Sequence, residues 1–282
     1  METYRPLKPS TKTKNDENFP VTTVFIPFRL RKHVHLFYNC ARTADDIADS
    51  IKLTTKQKTF FLKHIDGVLK GTENCDKNSK FAFLHRRSAE ETGVTVEHAR
   101  HLLQAFMMDV SKSRYRNWSE LINYCQYSAA PVGRYLLDLH GCKKQSQKGT
   151  DSLCIALQIL NHLQDCKIDY VSLNRVYIPE EFFKIYETDV TVLGAQNTDV
   201  NFRRVLNKIL TRTDELILVA KKEAWKISHR GFRFQTGIII AISENLSKEL
   251  RKRDPISERV ELTKTQYLFC FLKGFWRMLV RS

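Results

Sequence analysis

Carboxylates spaced to meet one another are the first feature of this sequence that could do chemistry. In R-T-A-D-D-I-A-D, residues 42 to 49, Asp45 and Asp49 stand four apart with Asp46 beside them. Helical positions four apart share a face, so Asp45 and Asp49 point the same way. Far along the chain, N-H-L-Q-D-C-K-I-D sets Asn161, Asp165 and Asp169 at four-residue steps, a second oxygen-rich stripe. Like charges about 6 Å apart in a partly buried cleft repel by roughly 3 kcal/mol per pair at an effective dielectric near 20. A hard divalent cation removes that cost, and Mg²⁺ binds through a few carboxylates, keeps several waters and completes its shell with phosphate oxygens. Either stripe alone reads equally as a solvated helix face, where the repulsion costs only tenths of a kcal/mol. The apolar neighbours Phe37, Ala41, Ala44 and Ile47 of the first, and Ile155, Leu157, Ile159 and Leu160 before the second, favour the metal.

These residues need elements to hold them, and the apolar periodicity supplies helices. Leu30, Val34, Phe37, Ala41, Ala44 and Ala48 recur at three- and four-residue steps, which predicts a helix over Pro27 to Ser50. Further helices are expected over Thr54 to Lys70, Lys80 to Glu91, Val96 to Val110, Trp118 to Leu139, Asp151 to Tyr170, Val200 to Ser228, Gly231 to Lys252 and Leu262 to Val280, with Asp151 as an N-cap. No window alternates with period two, and 10 glycines and 7 prolines in 282 residues are few for a sandwich or barrel. The expectation is an all-α fold: a flexible tail over residues 1–16 and a single domain over 17–282. At 42% hydrophobic and 11% aromatic the chain can bury a sizeable core, which excludes whole-chain disorder. Seven scattered cysteines without C-x-x-C point to a reducing cytoplasm. The polar, Lys-rich N-terminus predicts neither a signal peptide nor a span, and no stretch reaches about 20 apolar residues.

Four ordered segments resemble the squalene/phytoene synthase family, the head-to-head prenyl transferases of the isoprenoid synthase fold. They are F-Y-N-C-A-R-T-A-D-D-I-A-D (37 to 49), Y-C-Q-Y-S-A-A-P-V-G-R (124 to 134), N-H-L-Q-D-C-K-I-D-Y (161 to 170) and N-R-V-Y-I-P-E-E (174 to 181). The resemblance implies a helical bundle around a central pocket, with two aspartate-rich helices gripping Mg²⁺ ions that hold a prenyl diphosphate. Asp45 and Asp49 match the first motif, and Asn161, Asp165 and Asp169 the second. Within the family, E-N-F-P-V (17 to 21), Gln164 before Asp165 and R-V-Y-I-P look like the bacterial hydroxysqualene synthases of hopanoid biosynthesis. Those enzymes turn presqualene diphosphate and water into hydroxysqualene and diphosphate. Gln164 stands where members condensing two diphosphates usually carry Arg, a loss tolerable for an enzyme handling one diphosphate. The alternatives are a presqualene diphosphate or squalene synthase condensing two farnesyl diphosphates, and, in another class, a non-catalytic lipid-binding or assembly factor of the same fold.

Ionising such a diphosphate requires charge stabilisation on the leaving group, which Mg²⁺ provides through the aspartates. Arg42, Arg175 and Tyr177 are candidate phosphate donors, Arg by its planar fork, or else surface groups with buried stems. A carbocation needs a water-poor pocket faced by rings. By resemblance Tyr38 and Tyr124 line it, and Tyr127 is a further candidate. Ala129, Ala130 and Gly133 leave room beside the backbone, or else serve close helix packing. Gln158 and Gln164 are the amides placed to hold the quenching water. Asn18 matches a phosphate-facing polar position or caps a helix.

His98 and His101 lack partners at zinc-ligand spacing, and no G-x-G-x-x-G or P-loop argues for a dinucleotide. The net charge of +15 is spread over most helices with a dense patch at Lys248, Arg251, Lys252 and Arg253. No nucleic-acid module accompanies it, so nucleic acid is not an expected partner. A substrate and product of lipid character suggest a cytoplasmic protein with peripheral contact to the inner leaflet, served by pathway enzymes upstream and downstream. The segment with Phe269, Phe271, Leu272, Phe275, Trp276 and Leu279 could enter that interface, although packing on the core is the expectation.

Overall fold

The computed structural model describes residues 25–280, which fall into two compact units, 25–111 and 112–280. Asn18 and the expected tail lie outside the described residues. Among the described residues there is no strand, only one isolated bridge between Arg114 and Val176. The all-α expectation therefore holds.

The first unit packs four helices: α1 (Phe28–Asp49), α2 (Thr55–Lys70), α3 (Lys80–Thr92) and α4 (Glu97–Ser111). Helix α1 starts directly after Pro27, whose missing N–H costs nothing at a helix start. It buries Phe37, Cys40, Ala44, Ile47 and Ala48 against the apolar faces of the other three. Thr54 begins α2 with a reciprocal capping box to Gln57, and Gly71 ends it with φ 79°, a left-handed conformation that favours glycine.

The second unit is built on α7 (Gln147–Gln164), against which α5 (Trp118–Ser128), α6 (Ala130–Leu139), α10 (Val200–Glu223) and α11 (Arg230–Lys252) all pack. Helix α8 (Cys166–Leu173) follows α7, α9 (Glu180–Ile185) is short, and α12 (Lys264–Val280) lies on α11. Leu153, Ile159, Leu160 and Leu163 of α7 and Val205, Leu206, Ile209 and Leu210 of α10 are buried. Each such side chain contributes about 1.5–3 kcal/mol by leaving water.

Three sequence expectations are corrected. Trp118 to Leu139 is two helices, because the backbone turns at Ala129 (φ −130°, ψ −47°) and Pro131 then occupies the first turn of α6. The helix expected from Asp151 begins at Gln147, so Asp151 is no N-cap. It sits inside α7, where Arg134 clasps it through Nε (3.0 Å) and Nη2 (2.7 Å). That helix also breaks at Asp165 (φ −101°, ψ 9°), the junction of α7 and α8.

Candidate functional site

The first aspartate stripe sits on the last turns of α1. Arg42 donates from Nη1 to Asp45 Oδ2 (3.1 Å) and from Nη2 to Asp46 Oδ1 (2.8 Å), one guanidinium bridging two successive carboxylates. Asp45 is enclosed by the protein's mass, yet 32% of its side chain remains open to solvent. Burial pushes its carboxyl well above the ordinary range, and the charges of Asp49, Asp109 and Asp46 push the same way against Arg42. Asp109 on α4 is an acid that the sequence reading missed. Its only signal is an isolated carboxylate in the apolar run Phe106-Met107-Met108-Asp109-Val110. These carboxylates raise one another's proton affinity, although among the described residues no group of three or more His, Cys, Asp or Glu side chains is gathered as metal ligands. Tyr38, one turn before Arg42, is half-buried and close enough to that guanidinium to interact with it electrostatically.

The second stripe straddles the α7–α8 joint. The i to i+4 hydrogen bonds Asp165 N–H to Asn161 O and Asp169 N–H to Asp165 O (both 2.9 Å) run through the break, so the four-residue register survives it. Asp165 accepts from Arg259 Nε at 2.9 Å, and Arg259 also pairs with Glu261 (2.7 Å). Arg259 was not foreseen, because nothing in the sequence links residues 94 apart. A cleft of about 420 Å³ opens here, lined by Gln164, Asp165, Lys167, Ile168, Pro255 and Arg259 among others. Gln164 is buried and donates its amide N–H to Val260 O (2.5 Å), tying α7 to the connector before α12.

Beyond Asp169 the chain turns at Asn174 (φ 51°), and Arg175 N–H returns to Asp169 O (3.1 Å). Arg175 and Tyr177 are buried. Tyr177 stacks on His162 (centroids 3.5 Å apart, planes 14°) and on Tyr115 (5.7 Å), with Tyr124 at 5.4 Å. The structure thus brings the expected Tyr124 and Tyr177 into one ring cluster, with Tyr115 and His162 as unforeseen members. Burial and the Arg175 charge push His162 down to about 3, so its imidazole is neutral. Gln158 Nε2 lies 3.1 Å from His162 Nε2, one helical turn away.

Tyr127 is half-buried on α5, and Ala129 and Ala130 are buried at the α5–α6 turn. A Cβ at Gly133 would come 2.4 Å from Thr150 Cγ2 and 2.8 Å from Cys154 Sγ, so this glycine allows α6 and α7 to touch. A separate cavity of about 300 Å³ lies against Thr43 and Ile47, the side of α1 turned away from Asp45, and none of the α1 aspartates lines it.

The sequence pattern of the squalene/phytoene synthase family matches residues 12–266. The chain belongs to that family. It is 38% identical to a hydroxysqualene synthase of Rhodopseudomonas palustris, across 96% of this chain and 92% of that one. A hydroxysqualene synthase of Sinorhizobium fredii is 35% identical across 90% of this chain and 86% of its own length. Among solved structures, a squalene synthase from Alicyclobacillus acidocaldarius superposes with a TM-score of 0.72 (24% identity, 83% of this chain and 88% of that one). A ligand-bound dehydrosqualene synthase gives 0.75 (16% identity, 91% and 90%), which shows the shared isoprenoid synthase fold. Membership places the chain in isoprenoid biosynthesis. No helix among the described residues is long and apolar enough to cross a membrane.

Proposed function

We propose that this chain is a Mg²⁺-dependent hydroxysqualene synthase. The observation that carries the reading is 38% identity to a hydroxysqualene synthase over nearly the whole of both chains. The mutual repulsion centred on Asp45 supports the metal. In the proposed reaction the carbon–oxygen bond of presqualene diphosphate breaks, and the electron pair leaves with the diphosphate. Water then adds to the carbocation and gives up a proton, yielding hydroxysqualene.

Asp45 and Asp49, with Asp46 beside them, would hold Mg²⁺ on the first unit, and Asn161, Asp165 and Asp169 would hold it on the second; the ion would supply positive charge to stabilise a departing diphosphate. Arg42 orients Asp45 and Asp46 and adds a fixed cation beside them. Arg175, buried behind the second stripe, and Tyr177 bind on the phosphate side. Tyr38, Tyr124 and Tyr127 present ring faces to the cation and keep water out, a role that the tight packing of Tyr124 against Tyr115 and Tyr177 suits. The neutral His162 adds no charge that would oppose a carbocation. Gln158 is the amide assigned to the quenching water. Gln164, turned toward Val260, acts on the site by holding the connector.

The test is a paired incubation with Mg²⁺ and no reductant, presqualene diphosphate in one tube and farnesyl diphosphate in the other, with products identified by mass spectrometry. Hydroxysqualene from presqualene diphosphate is the expected product. Asp45→Asn and Asp165→Asn should each slow turnover by two to three orders of magnitude, the scale of losing a group that stabilises transition-state charge. Consumption of farnesyl diphosphate would instead make the chain a condensing enzyme, and silence in both tubes would sink the enzymatic reading.

A further inference from the structure

Helix α12 was expected to pack its apolar residues on the core, and the structure shows that only part of it does. The inward face is Cys270, Gly274 and Met278, all buried. Gly274 lets α12 lie against α11 at backbone distance, since a Cβ there would come 2.5 Å from Ile238 Cα. The larger residues point away. Leu268 (60% exposed), Leu272 (58%), Trp276 (68%) and Val280 (68%) form a line at four-residue steps, flanked by exposed Phe269 and Leu279. Twelve rises of about 1.5 Å from Leu268 to Val280 make this ridge roughly 18 Å long. A monomer seldom leaves so continuous an apolar strip to water without a use for it.

The charges beside the ridge say what would cover it. Helix α12 contains Lys264, Lys273 and Arg277 and no acidic residue. Lys273 and Arg277 share Glu244 with Lys221, so three cations face one carboxylate along that edge. Two copies meeting ridge to ridge would bring these cations together, which opposes self-association. An anionic leaflet answers both features: acyl chains take the ridge, tryptophan suits the interface, and lysine and arginine reach back to the headgroups.

We propose that the outer face of α12 docks this protein in the plane of an anionic phospholipid leaflet, with Leu268, Leu272 and Trp276 immersed and Lys264 and the cations around Glu244 at headgroup level. The full chain should float with vesicles containing phosphatidylglycerol, and its binding should weaken as salt rises. Binding to phosphatidylcholine vesicles should be at least tenfold weaker. The Trp276 emission should shift to the blue on binding and be quenched by brominated acyl chains, and Trp276→Phe should abolish that response without abolishing binding. Leu268→Gln/Leu272→Gln/Trp276→Gln, which touches only outward positions and whose folding circular dichroism checks, should lower partitioning about a hundredfold or more. Lys264→Gln should lower it severalfold on anionic vesicles alone. No flotation of the native chain, or equal binding by the triple variant, overturns the proposal. So does a concentration-dependent dimer lost in the triple variant while vesicles remain unbound, which would assign the face to a second copy. None of these readouts involves turnover, so the docking surface and the proposed reaction stand or fall separately.

Discussion

Replacing Glu244 by Gln removes the carboxylate that fastens α12 to the rest of its unit. Lys273 Nζ donates to Glu244 Oε2 at 2.9 Å, Arg277 reaches both of its oxygens at 3.3 Å, and Lys221 Nζ lies 3.3 Å from Oε1. Burial alone would raise this carboxyl. The hydrogen bonds and charges of Lys273 and Arg277 outweigh it and hold Glu244 at about 2, against an ordinary 4.5. At about 1.4 kcal/mol per pH unit, that difference is about 3 kcal/mol of preference for the charged form. Only 17% of the side chain is exposed, so solvent screening removes little of it. A folded-state value below the unfolded one means the stabilisation is complete above pH 4.5 and disappears as pH falls toward 2. Urea denaturation should therefore find Glu244→Gln less stable by about 2–3 kcal/mol at pH 7, with the gap closing between pH 4.5 and 2. A gap below about 0.5 kcal/mol at pH 7, or one that stays constant down to pH 2.5, would refute the reasoning.

Gly133→Ala should cost about 1–3 kcal/mol, read as a lowered melting temperature, because the added methyl meets Thr150 and Cys154 at under 3 Å. His85 is fully buried, and that burial together with the His98 charge pushes it down to about 4. Its ring resonances should stay flat from pH 8 to pH 5, and a titration midpoint above 6 would contradict this; stability should fall below pH 6.5, where the unfolded chain takes up the proton first. Arg259→Ala should tighten Mg²⁺ binding measured by calorimetry without substrate. The gain should be severalfold at most, because an ion pair this exposed is worth under about 1 kcal/mol. Weaker binding in that variant would show that Arg259 supports the ion rather than competing with it.

Much of this architecture can be read from residue order, and the failures have physical causes. Helix α1 was expected over 27–50 and spans 28–49, since its apolar spacing and Pro27 act within the helix itself. Thr54 was legible as the start of α2 because a capping box is local. Pro131 was a local signal of the α5–α6 break that the single helix expected over Trp118 to Leu139 passed over, whereas the break at Asp165 has no proline or glycine to announce it. For α12, apolar residues occupy both faces, so periodicity could not say which one turns inward. Packing chose the small and pliable residues Cys270, Gly274 and Met278, leaving the bulky ones outside. Of the site, the two stripes were visible because their spacing lies within a few turns. Asp109, Arg259 and the Tyr115–His162 contribution to the ring cluster depend on contacts between distant segments, which no local pattern encodes.

The connector between α11 and α12 is clipped at two adjacent points to the α7–α8 joint: Arg259 holds Asp165, and Val260 O receives the Gln164 amide. Any cation that occupies Asp165 must share or displace the guanidinium. Ion affinity and connector geometry are therefore thermodynamically linked, and linkage is reciprocal: a change that stiffens the connector around Arg259 weakens the ion by the same factor by which the ion loosens the connector. Because the connector leads directly into α12, amide exchange over residues 255–263 would register the occupancy of Asp165 in a segment that contains none of the aspartates.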